Sequence, residues 1–282
     1  MTNPSNQQRD QLNSINESVE IVQFLAIKDS NNIGNYIEVA QRNVREFGGV
    51  QEHVLNIDQV LSGMGGKEIN YSVLTINQFP SGTQLLKYYD DLAAERSAAL
   101  ASSYTLVLKP ESNIQKVKRL RFLAPLLRLK FRIGEIGEFN EEVQLLQPER
   151  NATLEMISDF QTFDQEEPFY NINLNKHYPV PTDSKLSIDE YYAEFSAETA
   201  RVTGPRVLSI GAFPTISGKI IQIFSRDKKE PFHDDWDQFL LVYYPKREDY
   251  LRLITHLPIE IIEKRNEAYE RAIQMPCTQL NL

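Results

Sequence analysis

The 282-residue sequence holds one cysteine, one tryptophan and four histidines. A single cysteine, Cys277, rules out an internal disulfide framework and fits a reducing, cytoplasmic compartment. His53, His177, His233 and His256 form no His-x-His or His-x3-His pair, and no cysteine is near them. No metal and no cofactor is therefore expected, and the histidines read as solvated loop residues. A metal site built from His177, His233 and Asp234-Asp235 is the alternative. There is no Gly-x-Ser-x-Gly elbow. Gly63-Met64-Gly65-Gly66-Lys67 lacks the spacing of a phosphate loop and reads as a hairpin. No apolar run approaches the roughly 18 residues needed to span a bilayer, so no transmembrane segment is expected. Basic residues are outnumbered, 30 Lys and Arg against 39 Asp and Glu, and the net charge of -9 argues against nucleic acid as a general partner. Residues 1–17 are rich in Asn and Gln, without the basic start and apolar core of a secretory signal, and read as a mobile tail.

What the chain does have is a duplication. Trp236 to Pro245 reads as a buried strand stopped by proline, with the charged helix start Lys246-Arg247-Glu248-Asp249 behind it. A degenerate copy runs from Tyr71 to Pro80, 165 residues earlier. Tyr36 and Gly49 lie 155 residues before Tyr191 and Gly204, and Arg96 and Ala99 lie 169 before Arg265 and Ala268. A repeat of this length means two copies of a whole domain rather than a solenoid.

Each copy reads alike. A strand (Val19 to Ile27; Phe169 to Leu174) leads into a helix (Ile33 to Phe47; Ser187 to Val202) that ends at a glycine. One or two strands follow (Val50 to Ile57; Arg206 to Phe213 with Lys219 to Phe224), then the proline-stopped strand. A second helix (Ser81 to Ser102; Lys246 to Gln274) and a closing strand (Tyr104 to Lys109; Pro276 to Leu280) complete the copy. The order is βαββαβ, the ferredoxin-like pattern, which predicts an α+β fold with an antiparallel sheet and helices on one face. The expected units are 18–110 and 147–282, joined by a helical connector, 111–146.

Phe169-Tyr170-Asn171-Ile172-Asn173-Leu174-Asn175-Lys176, Tyr191-Tyr192, Trp236-Asp237, Leu241 to Pro245, and Arg265 with Ala268 resemble a bacterial domain family of unknown function in the dimeric α/β-barrel superfamily. Phe79-Pro80-Ser81 and Tyr88-Tyr89-Asp90 through Arg96 and Ala99 are similar to its shorter members. The resemblance covers roughly Val19 to Pro110 and Gln147 to the C-terminus. It implies two domains packed sheet to sheet as an intrachain pseudo-dimeric barrel with a central cavity. Relatives in that superfamily include haem-degrading and cofactor-free mono-oxygenases and lactone isomerases, and fold does not choose among them.

The connector is basic first (Lys116, Lys118, Arg119, Arg121, Arg128, Lys130, Arg132) and acidic afterwards (Glu135, Glu138, Glu141, Glu142, Glu149, Glu155, Asp159). Ile114, Val117, Leu120, Leu123 and Leu127 fall at helical spacing, and Pro125 is expected to kink the helix. Lys116 to Arg132 reads as a helix laid on the barrel with its charges solvated. A membrane surface or an acidic partner is the alternative for it.

For ligand binding, alternation places Trp236 and Tyr244 on one strand face and Asp237 on the other. Trp236, Tyr244, Asn173 and Tyr191 are the expected pocket residues. Asp237 and Lys176 are the proton-handling candidates, and Asp237 with Arg265 is the expected structural ion pair. The function expected is binding of a small apolar or aromatic molecule, in an enzymatic version as a cofactor-independent oxygenase or isomerase. The alternative is a non-catalytic scaffold that meets a partner through the connector. A solvent-connected cavity with converging polar groups marks the first, and a packed interior with an exposed apolar patch marks the second.

Overall fold

The computed structural model describes residues 3–28, 30–59, 70–111, 114–131, 133–138, 154–180, 187–225 and 235–280. The Gly63–Lys67 stretch, Arg132, Glu141, Glu142, Glu149, His233 and Asp234 lie outside the described residues.

Near-continuous apolar runs make the strands. In β1 (Val19–Ile27) one set of alternate residues, Val22, Phe24 and Ala26, faces inward, and Val19, Ile21 and Leu25 pack under helices. A strand buried on both faces needs this composition. β2 (Val50–Ile57), β3 (Val73–Phe79) and β4 (Leu100–Pro110) complete the first run, and β5 (Phe169–His177), β6 (Phe213–Ser225), β7 (Gln238–Tyr244) and β8 (Tyr269–Gln279) the second. All eight pair antiparallel in one closed barrel, in the order β1-β3-β2-β8-β5-β7-β6-β4. The sequence predicts two sheets packed against each other as one barrel, and the two runs of strands join at their edges in a closed barrel. Closure gives each outer strand of the two runs a partner strand along part of its edge, which free edges would lack. One seam, β4 with β6, runs from Thr105↔Ser225 to Pro110↔Gly218, while the other, β2 with β8, spans only Leu55–Ile57.

The middle of the interior is apolar. Phe24, Leu74, Tyr104, Phe239, Leu241 and Met275 are completely buried in one apolar cluster. Where the family resemblance implies a central cavity, these apolar side chains line the middle of the barrel.

Helices cover the outside: α2 (Ser30–Glu46), α3 (Gly82–Asp91) and α4 (Ala93–Ala99) in the first half, and α8 (Ile188–Ser209), α9 (Arg247–Thr255) and α10 (Ile259–Ala268) in the second. The connector carries α5 (Ile114–Leu120), a 3-10 turn (Arg121–Leu123) and α6 (Ala124–Phe131), and α7 (Leu154–Gln161) leads into β5. Pro125 sits in the first turn of α6, where its missing N–H costs nothing.

Three expectations are corrected here. Residues 206–212 do not form a strand, because α8 runs through Gly204-Pro205 to Ser209 and β6 starts only at Phe213. Its last turn holds because Leu208 and Ile210 are buried against the sheet, and the Arg128 guanidinium donates to the Ser209 carbonyl at 2.8 Å. The true stop is Gly211 at φ 81°, the counterpart of Gly48 at φ 71°. In each case the next residue, Gly49 or Ala212, donates back to Val44 or Val207 and closes the same C-terminal motif. Second, each long helix after the proline-stopped strand breaks early, and β4 and β8 begin at Leu100 and Tyr269 because barrel pairing takes those residues.

Third, the N-terminal residues are not a free tail. α1 (Asn6–Asn13) has a Ser5–Gln8 capping box and buries Leu12 completely against Phe79, Leu85 and Tyr89. The α1 backbone passes so close to α3 that a Cβ on Gly82 would meet the Leu12 carbonyl at 2.1 Å, so only glycine fits there. Leu12→Ala is expected to lower stability by about 2–4 kcal/mol, read from urea midpoints. An unchanged midpoint would mean that α1 docks without contributing.

Candidate functional site

One mouth of the barrel gathers polar and aromatic side chains. Glu20 shares the inward face of β1 with Val22 and Phe24 and is 6% exposed. His53 pairs with the interior residue Ile76 just past the β2 bulge, and its ring lies 4.9 Å from Tyr170. Tyr170 faces Tyr243 across the β5–β7 pair at 5.5 Å, and Tyr243 meets Phe213 of β6 at 5.2 Å. The Arg121 guanidinium stands 5.7 Å over Phe213. Outside this aromatic wall, Lys118, Arg119, Arg121, Phe122, Gly211 and Phe213 line an open groove of about 690 Å³.

The electrostatics follow from burial. Burial lifts the Glu20 carboxyl to about 7, the Glu52 carboxylate adds to the rise, and Lys118 opposes it. Glu20 Oε2 has no hydrogen-bond partner among the described residues. Burial, helped by Lys118, pushes the His53 imidazole down to about 4, so it is neutral at pH 7. The Tyr170 hydroxyl is raised, by burial first and then by Tyr243. The mouth therefore offers a carboxyl that gains and loses a proton near neutrality, a neutral imidazole and a protonated phenol. An acid–base group works best with a pKa near the working pH. Among the described residues, no three His, Cys, Asp or Glu side chains gather to hold a metal ion.

None of the residues expected from sequence lies in this mouth. Trp236 is buried in the interior cluster, but it precedes β7 at the opposite end of the barrel. Tyr244 faces the helices, stacked on Phe169 at 5.0 Å and edge-on to Tyr250 at 5.2 Å, and burial raises its hydroxyl. The shared face fails because regular alternation begins only at Gln238, after which Phe239 and Leu241 point inward. Asn173 is on the outer face, where it accepts from Gln274 Nε2 at 3.1 Å, and Gln274 in turn accepts from the Tyr250 hydroxyl at 2.7 Å. Tyr191 lies on α8, outside the barrel.

Lys176 and Asp237 lie at the far end with Trp236. Asp237 accepts from the His177 backbone N–H at 2.8 Å, with the His177 ring 3.7 Å away. Burial would raise the Asp237 carboxyl, but the His177 contacts outweigh it and hold it below its ordinary value. The Arg265 guanidinium reaches toward Tyr269 instead, 5.8 Å from its ring, so the expected Asp237–Arg265 pair gives way to Asp237–His177. His53 and His177 belong to strands, not loops, and among the described histidines only His256 caps an exposed helix end. The sequence signal for the mouth was Glu20 itself, a charge at an inward position of a strand that is apolar on both faces.

No protein-family profile matches this chain, and no curated protein does. Among solved structures, a protein of unknown function from Rhodopseudomonas palustris is 24% identical, over 47% of this chain and 97% of its own, with a TM-score of 0.36. A candidate monooxygenase from Lactobacillus acidophilus NCFM is 12% identical, over 93% of this chain and 94% of its own, at 0.43. A mutant chlorite dismutase from Candidatus Nitrospira defluvii is 8% identical, over 96% of this chain and 95% of its own, at 0.49. The chain is an α+β protein whose described strands form one closed eight-stranded antiparallel barrel.

Proposed function

We propose that this chain is a duplicated, intrachain α/β barrel that binds a small aromatic or apolar molecule at the mouth formed by Glu20, His53, Tyr170, Tyr243 and Phe213. The duplication is supported by the strand orders β2-β3-β1-β4 and β6-β7-β5-β8, and by the matched helix stops at Gly48 and Gly211. The observation that carries the site is the Glu20 carboxyl, buried without a partner for Oε2 beside an aromatic wall. A buried carboxyl left so is costly unless a ligand's donor completes it. The ligand class is a planar ring that stacks on Tyr170 or Tyr243 and turns one hydroxyl toward Glu20, with Lys118 and Arg121 at the rim favouring a negative substituent.

In an enzymatic version the reaction is an isomerase-type proton transfer. Glu20 takes a proton from one carbon and returns it to another, with no electrons leaving the substrate.

The test is calorimetric titration with phenol and naphthol carboxylates. Binding that weakens tenfold or more in Glu20→Gln and in Tyr170→Ala, with Trp236→Phe unchanged, supports the mouth. Binding that ignores Glu20 and Tyr170 but responds to Trp236 moves the site to the far end of the barrel.

A further inference from the structure

We infer that the outward face of α6 and the 3-10 turn before it is a docking surface for an anionic lipid bilayer. Phe122, Leu126 and Leu129 stand at i, i+4 and i+7, one face of a helix, and are 71%, 65% and 73% exposed. Leu120 adjoins them at 43% exposure. Side chains of this size seldom stand so far into water in a contiguous stripe without a partner. The stripe is fixed in place: Leu123 and Leu127 turn inward, and Arg128 Nε is bonded to the Ser209 carbonyl at 2.8 Å.

Charge names the occupant. From Ile114 to Phe131 there are six cations, Lys116, Lys118, Arg119, Arg121, Arg128 and Lys130, and no acid, in a chain of net charge -9. Concentrated positive charge beside protruding apolar side chains is the composition of helices that lie in the plane of an anionic interface. Phe122 borders the open groove, but Leu126 and Leu129 stand outside it and project into water, which suits insertion between headgroups. No described helix is long and apolar enough to cross a membrane, so the contact is peripheral. Lys118 and Arg121 are common to this cationic run and to the rim of the proposed mouth, and the variants below leave both in place.

The full chain is to be sedimented with phosphatidylcholine vesicles, with and without phosphatidylglycerol. Cosedimentation only with the anionic vesicles is expected, weakened by salt. A loss of on the order of tenfold is expected in Leu126→Ser/Leu129→Ser, and a separate loss in Lys116→Gln/Lys130→Gln. Unchanged circular dichroism and melting of the variants show that the barrel is intact. Absence of binding to anionic vesicles, or binding that survives both double variants, overturns the inference. So does a concentration-dependent dimer that Leu126→Ser/Leu129→Ser dissociates, because the stripe would then belong to a second copy.

Discussion

Replacing Arg247 with methionine is expected to cost roughly 3–5 kcal/mol, a fall in melting temperature on the order of 10 °C. Arg247 opens α9 yet is fully buried, its guanidinium 4.8–5.3 Å from the rings of Phe160, Phe163 and Phe169. Its Nη2 donates to Asp58 at 2.5 Å and to Glu167 at 3.3 Å. Asp58 follows β2 in the first half of the chain, whereas Arg247 belongs to the second. The pair therefore ties the short β2–β8 seam, where Thr278 also donates to Asp58 at 3.0 Å and the Asp58 N–H reaches the Pro276 carbonyl at 2.9 Å. Burial raises the Asp58 carboxyl even against Arg247, which draws it down. Without the guanidinium, that enclosed carboxyl has only the neutral Thr278 hydroxyl and backbone for company, which is the origin of the cost. Asp58→Asn in the same background is expected to restore part of the loss, since the orphaned charge goes with it.

Cys277 reports on the same seam. It pairs with Ile57 across β2–β8, is completely buried, and has its thiol pushed well up by burial. Thiol labelling under native conditions is expected to accelerate in Arg247→Met and to stay slow in Leu12→Ala, whose loss lies in another cluster. Equal labelling rates in the parent and Arg247→Met would remove the seam from the explanation, whatever the melting temperatures.

Glu20→Gln is expected to abolish a pH dependence of stability and to make the protein more stable than the parent at pH 8. The folded carboxyl titrates near about 7, the unfolded one near its ordinary 4.5. Below 4.5 both states hold the proton, and the group adds no difference. Between 4.5 and 7 the folded state keeps a proton that the unfolded state has released, so stability declines as pH rises through this window. Above 7 both states are ionised and the whole desolvation penalty, about 3 kcal/mol, is in force. Melting scans from pH 5 to 8.5 are expected to show the parent falling by roughly 5–10 °C relative to Glu20→Gln. Parallel profiles would mean that the Glu20 carboxyl is solvated. A ligand that donates to Glu20 is expected to flatten the parent's profile in the same way, which links this measurement to the proposed site.

The local elements and their order were legible in the sequence because they depend on near neighbours. Val19–Ile27 and Val50–Ile57 are strands at the expected bounds; the first is apolar enough to be covered on two sides, while the second is half-buried, with Val50 and Glu52 exposed. The glycine after α2 stops it as expected, and each half shows the expected βαββαβ order. Helix ends that compete with distant partners were not legible. Gly204-Pro205 looks like a stop, but α8 continues because buried Leu208 and Ile210 and the Arg128 cap outweigh a local preference worth a few kcal/mol. Leu100 and Tyr269 look helical and are strands, because β1 and β5 supply hydrogen-bond partners that no local window contains.

The same division holds for the sites. Trp236 and Tyr244 were assigned one face by counting residues, but a count carries only as far as the regular strand, and β7 starts at Gln238. Arg247 reads as part of a charged helix start. Its burial depends on Asp58, 189 residues away in the chain, and on three phenylalanines that meet only in the closed barrel. The sequence by itself determined which segments must be buried on two faces and in what order they come. Tertiary structure alone decided which edges meet, which charges that closure encloses, and hence that the polar mouth is built around Glu20 rather than Asp237. Pairing and desolvation act between groups that chain order does not bring together.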